Sequence, residues 1–215
     1  MMTRLVEAAE WRLLALLFEC PAPGWETQIA ALARETEDPV LRQAADAAVI
    51  EASEGTYHSL FGPGGPAPGR EASYLSGVQL GYLISELTAY YNAFAFTPRG
   101  SEPPDQVPVE INFIAYLKLK EAYAESRGEA EHAAVVSDAV RSFIADHLST
   151  IAQPLAAALE MVAPSYLVSA GQALLKRTGP PRTGTGAPGL PLDDDEAEVT
   201  CGDVSTGPET LVQLR

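Results

Sequence analysis

Cysteine is nearly absent: Cys20 and Cys201 are the only two in 215 residues. They lie far apart and match neither a disulfide framework nor a C-x-x-C or zinc pattern, so a reducing cytoplasm is the expected compartment. Histidine is almost as scarce, at three. A hydrolytic triad is poorly supplied as a result, because Ser59 beside His58 does not face it on a helix. A di-iron bundle needs Glu-X-X-His twice, and the chain has it once, at Glu129-Ala130-Glu131-His132. The residues three places before His58 and His147 are Gly55 and Ile144, so neither completes a second copy. No catalytic residue, metal site or cofactor is expected.

Positive charge is also in short supply. Lys+Arg 14 against Asp+Glu 29 gives −15, which repels nucleic acid and anionic membrane surfaces and favours a cationic partner. The imbalance is spread along the chain: 12 basic and 22 acidic residues up to Thr178 give −10, and 2 basic and 7 acidic beyond it give −5. Long apolar runs are missing as well. Leu13 to Phe18 is too short, and Glu7, Glu10 and Arg12 before it are too charged, for a signal peptide or a membrane span. Neither Gly-rich segment continues into the Gly-Lys-Ser/Thr of a phosphate-binding loop. Gly184 to Gly189 spells G-x-G-x-x-G without the strand and helix that give such a motif meaning.

What the chain does have is helical periodicity. Leu5, Ala9, Leu13, Leu16 and Leu17 mark a first helix stopped by Pro21 and Pro23 near Cys20. Two short helices follow over Trp25 to Glu35 and Val40 to Glu51, parted at Asp38-Pro39. Gly62 to Gly69 is a Pro/Gly loop. Beyond it, a broad apolar stripe from Tyr74 to Phe96 predicts a core helix. Further helices are expected from Asp105 to about Ser126, ended by Gly128, and from Glu129 to Leu148. Pro154 and Pro164 then open two shorter ones reaching about Leu175. With no clean period-two run, the fold class is all-α, a single-domain helical bundle over 1–177. From 178 to 215 the Gly, Pro, Thr and Asp content, with Asp193-Asp194-Asp195-Glu196 inside it, predicts a disordered acidic tail.

One segment carries the functional signal: Glu102-Pro103-Pro104-Asp105-Gln106-Val107-Pro108-Val109-Glu110-Ile111-Asn112-Phe113. Asp105 is placed to cap a helix, with Pro108 in the first turn, where an N–H is not needed. Glu110 lies one turn before Phe113 and Ile114 and so sits against apolar surface. Two carboxylates at the mouth of a long apolar helix read as a recognition site, not a catalytic one. The plainer alternative is that Asp105 only caps a helix and Glu110 only pairs with a neighbouring Lys or Arg.

Tyr57-X-X-Leu60-Phe61-Gly62, the Pro/Gly loop, Tyr74-Leu75, the Glu102 to Glu110 element and Phe143-X-X-X-His147-Leu148 occur in an order that resembles the TorD/DmsD/NarJ family of redox-enzyme maturation chaperones. The resemblance covers roughly Leu5 to Leu175. It implies a cytoplasmic, all-helical protein that binds the twin-arginine leader, or an equivalent N-terminal segment, of a molybdenum-cofactor oxidoreductase's catalytic subunit. On that resemblance Tyr57, Leu60 and Phe61 border the leader groove, Arg70 and Tyr74 lie beyond the loop, and Asp105, Gln106 and Glu110 form a hinge element. His147 supports helix packing. Gln106 stands where the family has His, and Asn112 where it has Glu, so one titratable group and one negative charge are missing. The implied states are a monomer or a domain-swapped dimer without stable membrane insertion. The other classes weighed are a helical metal-dependent enzyme and a helical adaptor or scaffold.

Overall fold

The computed structural model of the chain describes residues 2–75, 77, 79–100 and 102–180. The expected acidic tail, with its G-x-G-x-x-G match, lies outside them apart from its first residues. The described fold is all-helical, and its only β-type pairing is an isolated antiparallel bridge between Arg70 and Gln106.

Helix α1 (Met2–Phe18) buries Leu13 to Phe18 without a gap, so its second half is enclosed on every side. Its end is finished by α2 (Trp25–Glu35), whose Trp25 indole donates to the Leu16 carbonyl at 2.9 Å. The Asp38-Pro39 boundary is as the sequence predicts. Asp38 accepts from the Val40 and Leu41 amides at the N-terminus of α3 (Pro39–Glu51), and Pro39 fills the first turn. The same carboxylate, with that of Glu10, also receives the Arg177 guanidinium, which ties the end of the fold to its beginning. A short helix not separately anticipated, α4 (Glu54–Phe61), is capped by Ser53. It runs into the Pro/Gly loop, where a Cβ at Gly65 would lie 2.2 Å from the Leu60 carbonyl oxygen.

The stripe from Tyr74 to Phe96 does not form one helix. A 3₁₀ turn (Glu71–Ser73) precedes α5 (Leu80–Ala93), which begins only at Leu80 and buries only Leu83, Leu87 and Tyr91, while Leu80 and Tyr82 face solvent. Beyond the linker, α6 (Val107–Arg127) is the axis of the fold. It packs mainly on α1 and on α7 (Ala130–Phe143), and Gly128 ends it at φ 71°. A π turn (Ile144–Leu148) joins α7 to α8 (Ser149–Val162) with helical dihedrals throughout, and α9 (Ser165–Thr178) packs back on α3 and α8. Pro154 therefore lies inside a helix and does not open one. An interior proline costs about 3 kcal/mol. Burial of Leu148, Ile151, Leu155 and Leu159 outweighs that, at about 1.5–3 kcal/mol for each side chain. Pro164 does precede α9, whose start is met by Glu51: the carboxylate accepts from the Tyr166 amide at 3.2 Å and the Ser165 hydroxyl at 2.7 Å.

Phe113 on α6 is the hub of the aromatic core, with ring centroids 4.8 Å from Phe143, 4.9 Å from Tyr91 and 5.2 Å from Phe96. Truncating this fully buried ring removes packing from three elements at once. Phe113→Ala is expected to lower the unfolding free energy by about 3–5 kcal/mol, read as a fall in the urea midpoint with an unchanged slope.

Candidate functional site

Proline and glycine dictate the backbone on both sides of the site. Residues 62–69 and 103–104 cannot continue helices, so two extended strands of chain meet as an isolated bridge: the Glu71 amide donates to the Asp105 carbonyl at 2.8 Å and Val107 to Gly69 at 3.0 Å. Arg70 reinforces the crossing. Its Nε donates to both Asp105 oxygens, at 3.0 and 3.1 Å, and a terminal nitrogen donates to one of them at 2.7 Å. Asp105 is fully buried and does not cap α6. Gln106 occupies the capping position without a side-chain hydrogen bond, because a bidentate ion pair holds the Asp105 carboxylate more strongly than a backbone amide would.

Glu110, on the first turn of α6, is also fully buried, and no N–H or O–H among the described residues donates to either of its oxygens. Burial first, and the neighbouring Glu71 and Asp105 next, hold its carboxyl well above the usual range. Two ionised carboxylates offer only acceptors to each other; a protonated Glu110 has an O–H to donate to Glu71. Glu71 in turn faces His147 from the π turn, whose Nδ1 is 3.2 Å from each of its oxygens. Tyr91 closes the cluster from α5, donating to the Pro104 carbonyl at 2.8 Å. Burial and the same three carboxylates push its phenol upward.

The structure therefore brings together Arg70, Asp105, Gln106 and Glu110, and adds Glu71 and His147. Neither Asp105 nor Glu110 presents a carboxylate to solvent. Tyr57, Leu60, Phe61 and Tyr74 frame the Pro/Gly loop instead. Phe61 stacks between Phe18 and Tyr57, Leu60 is buried under the loop, and the Tyr74 hydroxyl donates to the Pro68 carbonyl at 2.8 Å. The surface motifs that sequence reasoning set aside are indeed solvated: Glu129 and His132 pair 3.1 Å apart on an exposed turn, and Ser59 donates to its own helix at Thr56.

The open feature lies alongside, between α1, α6 and residues 95–99 and 102 of the linker. One cavity of about 530 Å³ is walled by Leu5, Ala8, Ala9, Ala115, Tyr116 and Leu119, and a second of about 290 Å³ continues it past Pro108 and Val109 to Glu19, Cys20 and Glu102. Phe96, Arg99 and Asn112 line both. The linker's start is held under tension. Ala95 adopts φ 56°, which a non-glycine residue adopts at some cost. The Tyr116 hydroxyl and the Lys120 ammonium fix the Phe94 carbonyl at 3.0 and 2.8 Å. At the far mouth, partial burial and Glu19 raise the Glu102 carboxyl. The adjoining Tyr57 phenol is pushed up to about 12 by burial and by Glu102, Cys20 and Glu19. Sequence reasoning missed this groove because it extended the preceding helix through Phe96. Glu102-Pro103-Pro104, which must be extended, was the available signal.

The chain is an all-helical body with an apolar groove between its first and central helices. No group of three His, Cys, Asp or Glu among the described residues is arranged to hold a metal ion, and no helix among them is long and apolar enough to cross a membrane. Residues 19–157, more than half of the chain, match the family described as nitrate reductase delta subunit, and the chain belongs to that family. It is a family of molybdoenzyme maturation chaperones, not of catalysts. No curated protein matches the chain.

Because the Glu110 carboxyl titrates higher folded than the roughly 4.3 of an unfolded chain, the folded state binds the extra proton and loses stability as pH rises through the folded value. Glu110→Gln is expected to raise Tm near pH 7.5, with a gain that shrinks toward pH 4. A constant difference across that range would show that Glu110 does not titrate high.

Proposed function

We propose that this chain is a cytoplasmic, system-specific chaperone that binds the leader or N-terminal segment of the catalytic subunit of a molybdenum-cofactor oxidoreductase and holds that subunit back until its cofactor is in place. The observation that carries the reading is the groove: two adjoining cavities with an apolar floor, ending at Glu19 and Glu102 beside the Tyr57 ring. A leader with paired arginines and an apolar stretch matches both parts, since guanidinium groups pair with carboxylates and stack on aromatic rings. In this reading Tyr57, Leu60, Phe61 and Tyr74 border the site. Arg70, Asp105, Gln106 and Glu110 act from beneath as a hinge, setting the path of the linker that carries Phe96 and Glu102.

Fluorescence anisotropy with a synthetic leader peptide tests this. The full chain is expected to bind a peptide with intact paired arginines, and Glu102→Lys is expected to weaken binding about tenfold by replacing attraction with repulsion. Glu131→Lys, on an exposed face of α7, makes the same charge change away from the groove and is expected to leave affinity unchanged. Equal losses in both variants would reduce the effect to overall charge and remove the groove from the proposal.

A further inference from the structure

The centre of the groove differs in character from its two ends. Arg12 and Asn112 meet there, the Arg12 guanidinium donating to the Asn112 side-chain oxygen at 3.2 Å and also to Glu19. Because arginine has only donors, the atom of Asn112 facing it must be the oxygen, and the amide nitrogen is left to point elsewhere. That nitrogen has no acceptor among the described residues. Arg99 is exposed, lines both cavities and has no acidic partner among the described residues. Where the two cavities join, the groove thus offers an amide N–H₂ and a guanidinium with nothing to receive them, between an apolar wall and an acidic mouth. A carboxylate at position 112 would cancel this donor character. Asparagine keeps the bond to Arg12 and turns its donors outward.

We propose that Asn112 and Arg99 form an acceptor subsite that selects client segments carrying an acidic side chain between their basic end and their apolar stretch. The inference rests on the groove being the client-binding site and adds what that site prefers. Charge complementarity runs in three steps along the groove: a cation against Glu19 and Glu102, a carboxylate against Arg99 and the Asn112 amide, and apolar side chains over Phe96, Ala115 and Leu119. The ligand's acidic residue neutralises Arg99, the one groove cation among the described residues that has no counter-ion.

Three synthetic peptides test the subsite, each with paired arginines and a leucine-rich stretch and differing only in the residue between them: Asp, Asn or Lys. The full chain is expected to bind the Asp peptide about 3- to 10-fold more tightly than the Asn peptide, and the Lys peptide more weakly than either. Arg99→Ala is expected to abolish the Asp preference, bringing affinity for the Asp peptide down to that for the Asn peptide, and its exposed position keeps the fold out of the readout. Asn112→Glu is expected to reverse the order in favour of Lys. Equal affinity of the wild-type chain for all three peptides, or an equal loss for all three in Arg99→Ala, overturns the subsite and leaves the groove standing. Failure of the wild-type chain to bind any of them overturns the groove and the subsite together. If a second copy of the chain fills the groove instead, sedimentation will show a dimer dispersed by Asn112→Glu, and affinity will not depend on the central residue, which also overturns the subsite.

Discussion

The ion pair between Arg70 and Asp105 fastens the two non-helical stretches of the body to each other, and the rest of the site is arranged around it. Removing Asp105 from water is costly, since an unpaired carboxylate in an apolar interior loses several kcal/mol of solvation, and the fold recovers this only through a bidentate partner. Once that pair is set, the bridge at Gln106 follows and Glu71 is drawn inside, while Phe96, Arg99 and Glu102 line the groove beside α1 and α6. The groove exists because the linker between α5 and α6 cannot collapse into helix.

The buried polar cluster and the aromatic core are two sides of one construction. Helix α6 turns Phe113 toward Tyr91 and Phe143, and one turn earlier turns Glu110 toward Glu71. His147 belongs to both, its ring packed against Phe143 and its nitrogen facing Glu71. A cluster with three carboxyl groups and one guanidinium is not neutral when all ionise, so a proton retained on Glu110 is the natural way for it to remain buried. Membership of the nitrate reductase delta subunit family gives this construction its setting, a maturation chaperone whose work is binding, not turnover.

Much of the fold was legible along the chain. The boundaries at Pro21, Asp38-Pro39 and Gly128 were readable because each is a local event: a missing N–H, a capping carboxylate, a left-handed residue. The readings that failed were those settled elsewhere in the fold. Tyr74 to Phe96 has helical spacing throughout, but α5 begins only at Leu80, after a chain path that is tied to residues 105 and 107 just upstream, at Gly69 and Glu71. Pro154 resembles a helix start, yet burial on both sides carries the helix through it.

The candidate site divides the same way. Sequence alone determined that the chain is helical and acidic and that the Glu102 to Phe113 element is its unusual segment, because propensity, charge and motif order are carried by neighbouring residues. Only the tertiary structure decided that Asp105 and Glu110 lie inside while Glu19 and Glu102 face the groove. It alone placed Arg99 beside Asn112 without a counter-ion among the described residues. Exposure and ion pairing are set by which distant segments meet, and 35 residues separate Arg70 from the carboxylate that it holds.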